Sequence, residues 1–267
     1  MKKDLVQVRE LSRWGLDLYP YRPASVVEIA HSQTEDMPSG HGLFTQAGVL
    51  LVPETLDLQD EFVKQSSRSD LLDEMQGLDW SLGVVDLRPL LAFQRRLTFS
   101  LNSAFELSAA RDWSSLFSLC FGSAKPVHFE LGGAEWPRAL NLYSTNPNLH
   151  VRTTNDSRSL LMPHAGGPFF EVACYRNRWF LRDGYHRAYS LLKAGITAVP
   201  AVVVQARTLE ELGADQPCFF QEEVLFSERP PHVIDFLHDD LVLQYSRPAL
   251  HKTIRITIEE ILTPVTS

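Results

Sequence analysis

Cysteine is scarce in this chain of 267 residues: Cys120, Cys174 and Cys218 lie far apart and are odd in number. That argues against a disulfide framework and fits a reducing compartment. With no Cys-x-x-Cys pair, a cysteine zinc site is not expected either. No stretch approaches the roughly 18 to 20 apolar residues needed to cross a bilayer. The residues from Met1 to Val6 run into charged and aromatic ones without an apolar core, so a cytoplasmic chain without a signal peptide is expected. Basic charge is also short. The formal net charge of −8 suits poorly a surface that coats duplex nucleic acid, whose grip rests on Lys and Arg neutralising phosphates. A local basic cleft remains compatible with it. The sequence has no GxxxxGK[ST] loop, no GxGxxG turn and no GxSxG elbow. It shows no internal repeat and no low-complexity linker.

What is present is an ordinary globular balance, 44% hydrophobic and 22% charged. The β-branched stretch 25–30 reads as strand-like, and Met37 to Gly42 as a break. Residues 48–53 read as a short buried strand ended by Pro53. From Leu56 to Leu78, apolar residues recur at helical spacing with an interruption near Ser66 and Ser67. Residues 83–87 form a strand leading into Arg88 and Pro89, and 109–121 a helix. Asn146 to Asn148 and Pro163 to Pro168 read as loops, the second carrying His164. Phe169 to Tyr175, a turn at Asn177, and Trp179 to Leu181 read as a hairpin. Tyr185 to Ala194 has helical periodicity, Gly195 stands where a left-handed C′ residue belongs, and 199–204 is a fully apolar strand expected to have a parallel neighbour. That strand–helix–strand should close with a right-handed crossover. Thr208 and Glu211 fit a capping box. A helix is expected near 234–240 and an alternating strand over 252–258. Asp235, His238 and Asp239 on one face of that helix read as a solvated acidic face rather than a metal site.

The chemistry concentrates in Arg182-Asp183-Gly184-Tyr185-His186-Arg187 at a strand-to-helix junction. A helix start leaves about four N–H groups without intrahelical partners and carries roughly half a positive charge. Gly184 lacks the Cβ that would hold a ligand off the backbone. His186 and Arg187 fall in the first turn, and Arg binds two phosphate oxygens in a fork. Asp183 can cap the helix or orient a hydroxyl or a metal-bound water. Together these residues predict an anion-binding corner.

The order Asp-Gly-Tyr-His-Arg-Ala-Tyr, then Ala-Gly-Ile-Thr-Ala-Val-Pro and an apolar strand, covering Phe180 to Val204, resembles the signature of the ParB/sulfiredoxin superfamily. The resemblance implies that Gly184, His186 and Arg187 bind nucleotide phosphates, with Asp183 and Tyr185 lining the pocket. It makes the strand at Val84 to Asp86, followed by Arg88, the family's first core strand, with Arg88 near the nucleotide and an insertion before Asp183. Asp86 is then a candidate general base. The chain also departs from the family. Tyr185 stands where sulfiredoxins carry their catalytic cysteine, so reduction of a sulfinic acid by that route is not open. The Gly-Glu-Arg-Arg box and helix-turn-helix of partition proteins are missing. The Asp-Gly-x-His-Arg form is closer to a branch that includes free-serine kinases.

The expected fold is α+β: a mixed sheet with a ParB/sulfiredoxin-like core over 80–210, an accessory segment over 1–79 and a C-terminal extension over 211–267. The expected function is binding of an ATP- or CTP-type nucleoside triphosphate, with Mg²⁺. Hydrolysis or transfer to a small acceptor would follow, with Asp183 and His186 catalytic and Gly184, Tyr185, His186, Arg187 and Arg88 on the nucleotide. The alternatives are a ParB-like nuclease or DNA-binding protein, with Arg176, Arg178, Arg182 and Arg187 along a phosphate backbone, and a non-catalytic module of the same fold. No membrane partner is expected, and the oligomeric state is not legible.

Overall fold

A computed structural model describes residues 5–32, 43–51, 58–100, 112–122, 128–132, 138–144, 149–153, 161–164, 167–258 and 261–263. Its elements mix helices with several sheets, an α+β architecture. In chain order they begin with β1 (Leu5–Leu11), α1 (Ala24–Ser32), β2 (Leu50–Leu51), α2 (Leu58–Ser66), α3 (Ser69–Glu74), β3 (Trp80–Asp86), β4 (Arg96–Ser100) and α4 (Trp113–Cys120). Next come β5 (His128–Gly132), β6 (Arg138–Ser144), β7 (His150–Thr153), β8 (Leu161–His164), β9 (Glu171–Tyr175) and β10 (Arg178–Asp183). The last are α5 (Tyr185–Lys193), β11 (Ala198–Gln205), α6 (Leu209–Leu212), α7 (Glu222–Leu225), a 3-10 turn (Val233–Leu237), β12 (Val242–Pro248) and β13 (Lys252–Ile258). Among the described residues no helix is long and apolar enough to cross a membrane.

The chain divides into two compact units. One contains Met1–Gly122 and Phe169–Pro248; the other contains Ser123–Pro168 and Ala249–Ser267. These units cut across the boundaries read from sequence at 79 and 210, because strands distant in the chain pair with one another. The second unit holds an antiparallel sheet in the order β13-β6-β5 and the pair β7-β8. His164, expected in a loop, lies in β8 opposite His150. Met37 to Gly42 and Asn146 to Asn148 lie outside the described residues.

The first unit contains the predicted site. Its larger sheet has the order β10-β9-β11-β3-β2. β11 supplies the middle, and every residue from Val199 to Val204 is buried, which explains its unbroken apolar composition. It runs parallel to β9 but antiparallel to β3. β10 is antiparallel to β9, so the segment β10–α5–β11 joins antiparallel strands, and the expected simple crossover is not formed. The parallel pair is β9 and β11, linked through both β10 and α5. Phe169, Phe170, Phe180, Phe220 and Phe236 are fully buried in this unit, each ring worth roughly 1.5–3 kcal/mol relative to exposure.

A second, antiparallel sheet has the order β12-β1-β4. Directly paired residues share a face, so Val8, Tyr245 and Thr98 point one way, with Glu10, Arg96 and Leu243. α1 covers that face through Val26, which packs with Val8, Leu243 and Tyr245. The stretch 25–30 is thus helical, not extended. Pro23 precedes the helix, whose start tolerates a missing N–H, and the tertiary contact of Val26 overrides β-propensity. On the opposite face, Phe99 meets His186 and Tyr189 of α5 at ring-centroid distances of 5.3 and 5.1 Å.

Other sequence expectations are met locally. The break between α2 and α3 falls at Ser67–Arg68. Thr208 Oγ1 accepts the Glu211 N–H at 3.1 Å, although Glu211 reaches back to the Arg207 N–H rather than to Thr208. The helix expected near 234–240 is a single 3-10 turn. Within it Asp235 accepts the His232 N–H at 2.7 Å, and beyond it Asp239 pairs with Arg9 at 2.8 Å.

Candidate functional site

The site is built where the β9–β10 hairpin delivers the chain into α5. Arg176 and Asn177 have φ of 48° and 62°, the left-handed pair of a tight hairpin turn. β10 then bulges at Arg182, placing Asp183 directly opposite Glu171. Gly184 follows with φ of 102°, and α5 starts on it without a side-chain cap. Gly184 offers no side chain to cap the first-turn amides of Tyr185, His186 and Arg187, which have no partner within the helix. Asp183 Oδ1 accepts the Gly184 N–H.

Burial pushes the Asp183 carboxyl above its ordinary range, against the pull of Arg187, the Gly184 amide and Arg182. Glu171 is pushed up to about 7, again by burial first, with the Arg182 guanidinium opposing and Asp183 reinforcing. Two facing acids beside a helix N-terminus, both with raised affinity for protons, are a recognisable arrangement for proton transfer. Glu171 was missed by the sequence reading. The available signal was an acid inside the otherwise apolar run 169–175, a position that survives burial only with a partner such as Arg182, which ion-pairs with it.

The remaining residues of the motif are used differently from the sequence expectation. The space beside Gly184 belongs to Phe170, since a Cβ there would lie 2.6 Å from that ring's Cδ2. Tyr185 is buried, and its hydroxyl accepts the N–H groups of Phe93 and Gln94 at 3.0 and 3.3 Å instead of lining a pocket. Arg187 donates to the Leu119 carbonyl at 3.1 Å and the Phe169 carbonyl at 2.6 Å, fastening the C-terminal turn of α4 to the chain entering β9. A cation suits that helix end. Its role as a phosphate fork is thereby corrected to a structural tie, and Arg187→Ala is expected to lower the melting temperature rather than act on ligand alone. Arg88 closes on Asp86, Nη2 to Oδ2 at 2.6 Å, at the end of β3, which β9 and β11 separate from β10 in the sheet. Desolvation would raise the Asp86 carboxyl, but that pairing and the Arg88 N–H hold it below its ordinary range.

His186 stays exposed in the first turn, with Nε2 2.9 Å from the Thr98 carbonyl oxygen. Crowding by protein holds its pKa below the ordinary value, the Thr98 carbonyl opposing and Arg187 assisting. The junction thus sets Asp183 beside the first-turn amides, adds Glu171, and turns Tyr185 and Arg187 into the framework, while the His186 ring lies against Phe99 and Thr98 of β4. Tyr185→Phe should leave the Phe93 and Gln94 amides without their acceptor. The expected loss is about 1–3 kcal/mol, several degrees of melting temperature measured by calorimetry.

The arginine track of the DNA-binding alternative is also internally engaged. Arg176 pairs with Glu222, Arg182 with Glu171, and Arg178 donates to the carbonyls of Leu225, Ser227 and Phe226 at the end of α7. Among the described residues no group of three or more His, Cys, Asp or Glu could hold a metal ion. Compared with known proteins, the chain matches no family model, no curated protein and no solved structure.

Proposed function

We propose that the chain is a ParB/sulfiredoxin-like domain that binds a nucleoside triphosphate of the ATP or CTP type at the first turn of α5 and performs phosphoryl chemistry there. The observation that carries the reading is the uncapped start of α5 on left-handed Gly184, with the Asp183 carboxyl beside it and its proton affinity raised. Amides of residues 185–187 and the positive end of the helix receive the phosphates. In hydrolysis, a water oxygen forms the new bond to the γ-phosphorus, the bond to the β-γ bridging oxygen breaks, and Asp183 takes the water proton. With a small hydroxyl acceptor the balance is the same. Mg²⁺ would arrive with the nucleotide as part of the substrate.

His186 gives this reading a pH signature. With Nε2 directed at the Thr98 carbonyl, the imidazole offers the other ring nitrogen as an acceptor while neutral and as a donor once protonated. A bound phosphate favours the protonated form, so its pKa rises on binding and affinity strengthens as pH falls. Titration calorimetry with ATP and CTP at pH 6 and pH 8 should show tighter binding at the lower pH. In His186→Ala that part of the pH dependence should vanish, with affinity reduced about tenfold, the scale of one charge-assisted hydrogen bond. Nucleotide binding of unchanged strength and pH profile in the variant would remove His186 from the site; no binding in the wild type would remove the site.

A further inference from the structure

The face of the β12-β1-β4 sheet that carries α1 also holds a knot of arginines unrelated to the α5 junction. Glu10, almost fully buried, accepts from Arg22 Nε at 2.9 Å, Arg96 Nη1 at 2.7 Å and the Tyr245 hydroxyl at 2.8 Å. Asp17 accepts from Arg22 Nη2 at 2.7 Å and from Arg96 Nη2 at 2.6 Å. Arg95 lies within electrostatic reach of both carboxylates and donates to the Gly15 carbonyl at 2.9 Å. Arg247, opposite Val6 on β12, approaches the Tyr19 ring at 6.0 Å, a ring that Arg96 covers from 4.1 Å. Arg22 and Arg96 thus share two carboxylates, with Arg95 in reach of both and Arg247 beside the same tyrosine, so this partly buried patch has more arginines than acids in a chain of net charge −8. Burial holds the Tyr19 and Tyr245 phenols above their ordinary range, so neither supplies the missing negative charge.

The imbalance is sharpest at Arg247, which is only 9% exposed. Its Nη1 donates to the Pro248 carbonyl at 2.8 Å, and its Nη2 reaches Thr98 Oγ1 at a long 3.4 Å. Its Nε has no hydrogen-bond partner. The Nε–Nη2 edge is one that a guanidinium presents side-on to two oxygens of a carboxylate or phosphate. A buried cation whose edge meets only the long Thr98 contact and the neutral Tyr19 hydroxyl lacks a counter-charge there, and an anion from outside the chain would supply it.

The geometry points to an oxyanion site on this face, with the Nε–Nη2 edge of Arg247 as the fork, Thr98 Oγ1 as a neighbouring donor, and Arg22, Arg95 and Arg96 as the surrounding positive field. Its ligand class is the phosphate dianion, free or as the ester of a small molecule. Because Nε is covered, a ligand reaches it only when the side chains packed over it move. The site stands whether or not α5 binds a nucleotide.

The test is thermal unfolding of the full chain in inorganic phosphate, in ribose 5-phosphate, and in sodium chloride of matched ionic strength. Saturating phosphate should raise the midpoint by about 5 °C or more over chloride, the scale of a ligand present at a hundredfold excess over its Kd. A larger response to ribose 5-phosphate assigns the site to an ester, and an equal or smaller one to the free anion. Arg247→Gln should lose the response while His186→Ala, which weakens phosphate binding at α5, keeps it. Should Arg247→Gln not fold, Arg247→Lys, which keeps the charge without the fork, should bind phosphate at least about tenfold more weakly. A wild-type response no larger than that to chloride, or an undiminished response in the Arg247 variants, overturns the proposal.

Discussion

Asp183→Asn is expected to cut nucleotide turnover by about 10²- to 10⁴-fold, the usual contribution of a positioned general base. Substrate affinity should be retained or improved, because the amide keeps the acceptor for the Gly184 N–H and removes a carboxylate from beside the phosphates. Single-turnover assays with ATP and CTP, read beside calorimetry, separate the two effects. The pH profile is a second signature. Proton uptake by the base should depress the rate at acid pH, with an apparent pKa above the ordinary aspartate range, since burial raises it. Unchanged turnover in Asp183→Asn would leave the carboxyl as a turn-forming group and nothing more.

The largest expected stability effect belongs to Gly184→Ala. Two costs combine there. An L side chain at φ of 102° is strained by about 1–2 kcal/mol, and a Cβ placed 2.6 Å from the Phe170 ring forces a buried aromatic to move. Overpacking of that kind costs about 1–3 kcal/mol more. The combined loss, about 2–5 kcal/mol, should appear as a drop of roughly 5 °C or more in calorimetry. A second substitution, Phe170→Leu, should recover part of it by making room. Gly195→Ala is the control for backbone strain alone, since its φ is 77° and no atom lies within 4 Å of the added Cβ.

How far the residues foretold these positions depends on the range of the forces involved. The hairpin, α5, the left-handed Gly195 and the buried β11 were legible because each rests on local signals: turn residues, a 3.6-residue period, an unbroken apolar run. Tertiary partners, near or far in the chain, were not. Nothing near Arg187 tells that it will tie Leu119 to Phe169, and nothing near Tyr185 foretells the amides of Phe93 and Gln94. Both residues kept their place in the motif while their side chains turned inward. The helix at Ala24–Ser32 was misread for the same reason, its β-branched residues being decided by contact with β1 and β12. Arg247 carries a charge whose burial only the assembled sheets reveal, whereas Glu171 was readable as an acid inside an apolar run.

The most direct measurement is residue-resolved amide hydrogen exchange with and without saturating ATP or CTP and Mg²⁺. Seating of the phosphates on the start of α5 predicts slowed exchange confined mainly to the N–H groups of Tyr185, His186 and Arg187. Identical exchange at those three amides, in a sample where calorimetry shows the nucleotide to be bound, would place the ligand elsewhere and contradict the account.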